Sequence, residues 1–141
     1  MTDRLQEIAD EFQSVPQDMR VELLLERARD FPPLPERYQA AYEAGLGRVH
    51  ECQAEVYLFP EVSDDGVHLN AAIPGHAPTQ RALVGILMDA YEGATPADVS
   101  AIPPDLLRRL GVDALLGVQR QRGFAGVVGR IQHVVAEAAK A

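Results

Sequence analysis

Cysteine is nearly absent from this chain of 141 residues: Cys52 is the only one. One thiol excludes an internal disulfide, and it excludes a zinc or iron–sulfur site built from several thiolates of one chain. Long apolar runs are absent too. Stretches such as Leu23–Leu25 are far too short to span a bilayer. The opening "MTDRLQEIAD" is acidic and amphipathic, without the apolar core of a signal peptide. The expected location is therefore cytoplasmic, where a lone thiol stays reduced. Positive charge is scarce: 13 Lys and Arg stand against 21 Asp and Glu, for a net charge of −8. An acidic body argues against nucleic acid or an anionic membrane as partner.

The charge is unevenly spread. Residues 1–65 carry 6 Arg and 15 acids, whereas residues 108–141 carry 6 basic side chains and 2 acids. The basic tail reads either as a solvated helix face or as a local hold on an anionic group. Arg120 and Arg122 sit where the last helix should begin, and cations there oppose the helix dipole. That local cost points to an anionic contact, inside the chain or outside it.

What is present organises into one domain over residues 1–141, a length that suits a single core. Leu5, Ile8, Ala9 and Phe12 follow helical spacing and predict a helix over 3–13. Ser14 with Gln17 has the form of a capping box and predicts a second helix to about Asp30, with Val21, Leu24, Leu25 and Ala28 on its inner face. "FPPLPERY" must break that helix. A short helix over 36–43 should end at Gly45 and Gly47. "CQAEVYLFPEV", 52–62, is rich in β-branched and aromatic residues and reads as a strand. "SDDG" suits a tight turn, and "VHLNAAI" alternates with Val67, Leu69 and Ala71 on one face.

Beyond the hairpin, "TQRALVGILMDAY" is an apolar helix with Leu83, Ile86, Leu87, Ala90 and Tyr91 in its buried stripe. Thr95, Pro96 and Asp98 mark the next helix start, and Gly111 should close "PPDLLRRLG". A final helix is expected over 119–139, with Phe124, Val127, Val128, Ile131, Val135 and Ala138 facing inward. The order of helices, hairpin and helices implies an α+β layer of helices on a small antiparallel sheet.

Cys52 stands at the entrance to the expected strand, in or at the end of a loop. Two readings stand on the residues: a small buried hydrophobe, or a working thiol. His50 offers a neighbouring base or cation, and Glu51 works against a thiolate if it is close. A Cys–His dyad with His50, His68, His76 or His133 lacks any nucleophile signature around Cys52. A zinc site from His50, Cys52 and His68 fits no established spacing, and such histidines usually face solvent.

Five segments stand in order: "FPPLPERY" (31–38), "VHECQAEVY" (49–57), "QRALVGIL" (80–87), "TPADV" (95–99) and "QRQRGFAG" (119–126). Together they resemble the SufE-like sulfur acceptor family, which assists cysteine desulfurases in iron–sulfur cluster assembly. The family's central signature, V-x-G-C-Q-S-x-V-W, matches the second segment. The resemblance implies a three-stranded antiparallel sheet covered by helices, shared with IscU-type scaffolds. It implies that Cys52 accepts sulfane sulfur from a SufS-type desulfurase and hands it to a SufBCD-type scaffold.

The same resemblance places His50, Glu51 and Gln53 in the active-site loop and Arg120 at the desulfurase interface. No metal or bound cofactor is implied, since the pyridoxal phosphate belongs to the desulfurase. A persulfide is reactive, so partial shielding of Cys52 at rest is expected. An adaptor of the same fold without persulfide chemistry is the alternative. A metal-holding scaffold is disfavoured by the single cysteine. Four positions depart from the family pattern: Glu51 stands for Gly, Ala54 for Ser, Tyr57 for Trp, and His76 where Asp is common.

Overall fold

The computed structural model describes residues 1–140. Helix α1 (Asp3–Gln13) buries Leu5, Ile8, Ala9 and Phe12, the stripe its spacing predicts. Thr2 caps it: its Oγ1 accepts from the Leu5 N–H at 3.1 Å. Helix α2 (Gln17–Arg29) departs from expectation at both its start and its face. Ser14 closes α1 instead of opening α2, because its backbone is already helical and its hydroxyl donates to the Glu11 carbonyl. Extended Pro16 leads into α2. Its buried residues are Leu24 and Ala28, while Val21 and Leu25 face solvent.

Helix α3 (Gln39–Glu43) follows a 3-10 turn over Glu36–Tyr38. The expected strand over 52–62 is mostly not a strand. Residues 52–54 lie in a bend, and pairing begins only at β1 (Tyr57–Leu58). Pro60 has no N–H to give a ladder, and it separates β1 from β2 (Glu61–Ser63). β2 pairs antiparallel with β3 (Gly66–His68), and β1 with β4 (Ala71–Ala72). The Phe59 N–H donates to the Asn70 carbonyl at 2.8 Å and joins the two ladders into one irregular hairpin.

A full third strand is missing among the described residues. Its place is taken by an Arg48–Tyr57 bridge, with the Leu58 N–H donating to the Gly47 carbonyl at 2.9 Å. The expected α+β architecture stands, with this smaller sheet. Val67, Leu69, Ala71 and Ile73 are buried, as their alternation requires. Gly66 has φ +111°, and its missing side chain lets the hairpin tip meet Gly93: a Cβ would lie 2.5 Å from the Gly93 carbonyl oxygen.

Helix α4 (Pro78–Ala90) is the centre of the core. Leu83, Val84, Ile86 and Leu87 are buried, and α1 and α2 both pack on it. Buried Tyr91 follows, its hydroxyl pushed up to about 12 by burial first and then by Asp98. Helix α5 (Pro96–Ser100) carries the expected capping box between Thr95 and Asp98. Helix α6 (Leu106–Leu110) ends at Gly111 in the left-handed region. Helix α7 (Val118–Ala139) buries Phe124, Val127, Ile131 and Val135. Ala138, expected to face inward, is exposed in the last turn. Among the described residues no helix is long and apolar enough to cross a membrane.

One carboxylate joins three helices. Asp89 of α4 accepts from Arg4 of α1 at 2.8 and 2.9 Å, and from Arg27 of α2 at 2.7 Å. The two Arg4 hydrogen bonds, then the one from Arg27, hold its carboxyl below the ordinary range against the opposing effect of burial. Asp89→Asn is expected to cost about 1 kcal/mol at neutral pH, below the usual range for hydrogen bonds to charged groups because the site is partly solvent-screened. A lowered folded-state pKa stabilises above the unfolded value and loses that stabilisation as pH falls through the folded one. The gap in melting temperature between the two proteins should therefore close in acid. A gap that is constant with pH would contradict this.

Candidate functional site

The segment 49–56 is a closed loop. At its base the Val49 N–H donates to the Val56 carbonyl at 2.8 Å, and both side chains are fully buried. Within it the Cys52 N–H donates to the Val49 carbonyl at 3.3 Å, which turns the thiol inward. Cys52 is 3% exposed, whereas His50, Glu51 and Gln53 around it face solvent.

The loop lies against α7 at two glycines. A Cβ on Gly123 would stand 3.2 Å from Cys52 Sγ, and one on Gly126 only 2.6 Å from Glu51 Cβ. These residues are one turn apart on a helix, so they share a face. That face has no side chains where the loop descends, and the thiol fills the gap. Glu51 continues along the helix towards Arg130, with Oε1 3.9 Å from the guanidinium.

Beside the thiol is a depression of about 480 Å³, lined by Cys52, Gln53 and Ala54, by 76–80, and by Gln119 and Arg120. Two helices begin at its wall. Pro78, Thr79 and Gln80 form the first turn of α4; Val118, Gln119 and Arg120 form the first turn of α7. Neither helix start has a side-chain cap. Residues of both helix starts thus line one cavity, where the positive end of each helix dipole favours an anion by about 0.3–1 kcal/mol. Arg120 adds a full charge. An acidic protein has gathered positive potential around its only sulfur nucleophile. Two larger grooves, of about 760 and 840 Å³, lie elsewhere and do not include Cys52. Size alone does not mark the site.

Of the residues singled out from sequence, Cys52, Gln53, Ala54, His76 and Arg120 share the depression. His50 and Glu51 do not line it, although they flank the cysteine. His68 hydrogen-bonds Glu92 and takes no part. Among the described residues no group of three or more His, Cys, Asp or Glu is placed to hold a metal ion.

The family profile described as "SufE: Fe-S metabolism associated domain" matches residues 6–135. The chain belongs to the SufE family. A SufE-like protein of Mycobacterium tuberculosis is 33% identical over 135 residues, covering 95% of this chain and 92% of that protein. A SufE-like protein of Synechocystis is 25% identical over 113 residues, covering 80% of this chain and 67% of that one. The solution structure of a hypothetical protein from Thermus thermophilus superposes with a TM-score of 0.86 at 31% identity, over 100% of this chain and 99% of the other. Membership of the SufE family associates the chain with iron–sulfur metabolism.

Glu51 stands where the resemblance leads one to expect glycine, and the structure accommodates it. Among the described residues none other than glycine has positive φ, so position 51 does not use the freedom of a glycine backbone. The space is made across the interface instead, at Gly126. His76, another departure from the pattern, lines the depression beside the thiol. Gln80 also lines it, and it was not singled out from sequence. Its signal was available: it lies on the same helical stripe as Leu83 and Leu87, a polar residue on an apolar face.

Gly126→Ala should stabilise an ordinary helix interior by about 1 kcal/mol. Here the added methyl must displace Glu51, so the loop is expected to shift and Cys52 to react about tenfold faster with a bulky maleimide. Glu51→Gly in the same chain should restore slow labelling, because it removes the opposing Cβ. Labelling of Gly126→Ala at the wild-type rate would contradict the close contact.

Proposed function

We propose that the protein is a sulfur carrier: Cys52 accepts the outer sulfur of a persulfide on a SufS-type cysteine desulfurase. It stimulates that enzyme and passes the sulfur to a SufBCD-type scaffold in the cytoplasm. The observation that carries this reading is the setting of the single cysteine. It is buried under a short loop, yet it borders a cavity made electropositive by two helix starts and Arg120.

The chemistry needs little else. The Cys52 thiolate attacks the outer sulfur of the donor persulfide. A new S–S bond forms to Cys52, the donor's own S–S bond breaks, and the electron pair leaves on the donor cysteine as thiolate. Protons exchange with solvent, and no net oxidation occurs. The second transfer repeats the step with Cys52 as leaving group. The carrier supplies no cofactor; the pyridoxal phosphate works in the desulfurase. Burial of the thiol protects the persulfide from oxidants between transfers. A chain with one cysteine also has no internal thiol to discharge it as a disulfide.

Incubation with a SufS-type desulfurase, pyridoxal phosphate and cysteine should add one sulfur atom to Cys52 by mass spectrometry. A reductant should remove it, and Cys52→Ser should lack it. Full stimulation of the desulfurase by Cys52→Ser would instead support an adaptor without persulfide chemistry. Arg120→Ala should keep its fold and lose about tenfold in stimulation, the scale of one charge-assisted contact. Unchanged stimulation would remove Arg120 from the interface.

A further inference from the structure

Gln80 is the one buried amide side chain of the described core: it is 5% exposed, and its Oε1, like the hydroxyl of buried Tyr91, has no hydrogen-bond partner. A buried amide without a partner is unfavourable, and native proteins rarely keep one without a use. It sits in the first turn of α4 and lines the same depression as Cys52. The two ends of a carboxamide are assigned from their partners, so with none present either end can face the cavity.

We propose that the Gln80 carboxamide donates a hydrogen bond to the outer sulfur of the Cys52 persulfide and so makes the depression a holding site for anionic sulfur. The inference rests on Cys52 being the sulfur acceptor. Loading converts a buried thiol into a longer group that ends in an anionic sulfur, and a buried anion needs donors. Arg120 is exposed, and the helix starts offer fixed backbone N–H groups. Gln80 offers a neutral amide in the buried part of the cavity wall. With the amide turned so that its NH2 takes the unpartnered position, that donor has nothing to bind in the unloaded protein. No bond to Gln80 is made or broken; the residue holds the sulfur until a partner opens the loop.

The test loads the purified protein with inorganic polysulfide, without a desulfurase. The Cys52 thiolate attacks a polysulfide sulfur, a new S–S bond forms, and a polysulfide one sulfur shorter leaves with the electron pair. Persulfide lifetime is then followed by mass spectrometry under a fixed low concentration of dithiothreitol. In Gln80→Leu and in the near-isosteric Gln80→Met the lifetime should fall about tenfold, the scale of a hydrogen bond to a charged group. Maleimide labelling of the unloaded thiol should not change. Melting temperature should hold or rise, because an unsatisfied buried amide is gone; a purely structural amide would give the opposite sign. Wild-type lifetimes in both variants, or a lower melting temperature with faster labelling of the unloaded thiol, would overturn the role of Gln80. Absence of added sulfur on wild-type Cys52 after desulfurase treatment would instead overturn the carrier reading, whatever the polysulfide experiment shows.

Discussion

The approach of the 49–56 loop to helix α7 is the contact on which the site depends. It exists because two positions one turn apart, Gly123 and Gly126, have no side chains. The first leaves room for the Cys52 sulfur and the second for the start of Glu51. With the loop held there, the thiol is shielded from solvent and still borders the depression shared by the first turns of α4 and α7. Glycine in a helix interior weakens it, so these two residues cost helical stability at the point where the cysteine is received. The long apolar face of α7, anchored by Phe124, Val127 and Ile131, offsets that cost.

Electrostatics then separates the site from the body of the protein. The chain is acidic overall, and its acids concentrate in the first 65 residues. At the cavity the sign reverses, through Arg120 and two uncapped helix starts. In the proposed transfers the negative charge sits first on the attacking thiolate and then on the leaving one. A local positive field favours that charge without a metal or a second thiol. Glu51 is kept out of the field by pointing the other way, along α7 towards Arg130. The acidic side chain next to the cysteine in sequence is thus not its neighbour in the cavity.

Much of this was legible in the chain of letters, and the failures have physical causes. The stripes of α1, α4 and α7 were readable because apolar residues recur there with helical spacing and few competing choices. In α2 three consecutive leucines permit several stripes. Packing against α4, with Arg27 directed at Asp89, selects Leu24 and Ala28 over Val21 and Leu25. The strand expected over 52–62 fails at its first half because the loop is bound by α7, a partner more than sixty residues away that no local propensity records. Cys52 and Arg120 were singled out from motif order, and the structure places both on one cavity. Their meeting with Gln80 and His76 was not legible, since it depends on where two helices start in space.

The account requires that a shielded thiol be uncovered by its partner. Hydrogen exchange of residues 49–56, with and without a SufS-type desulfurase bound, tests that requirement most directly. The amides of Val49 and Cys52, held now by the Val56 and Val49 carbonyls, should exchange faster in the complex. Unchanged or slower exchange at those two amides, with sulfur still passing to Cys52, would contradict the opening of the loop.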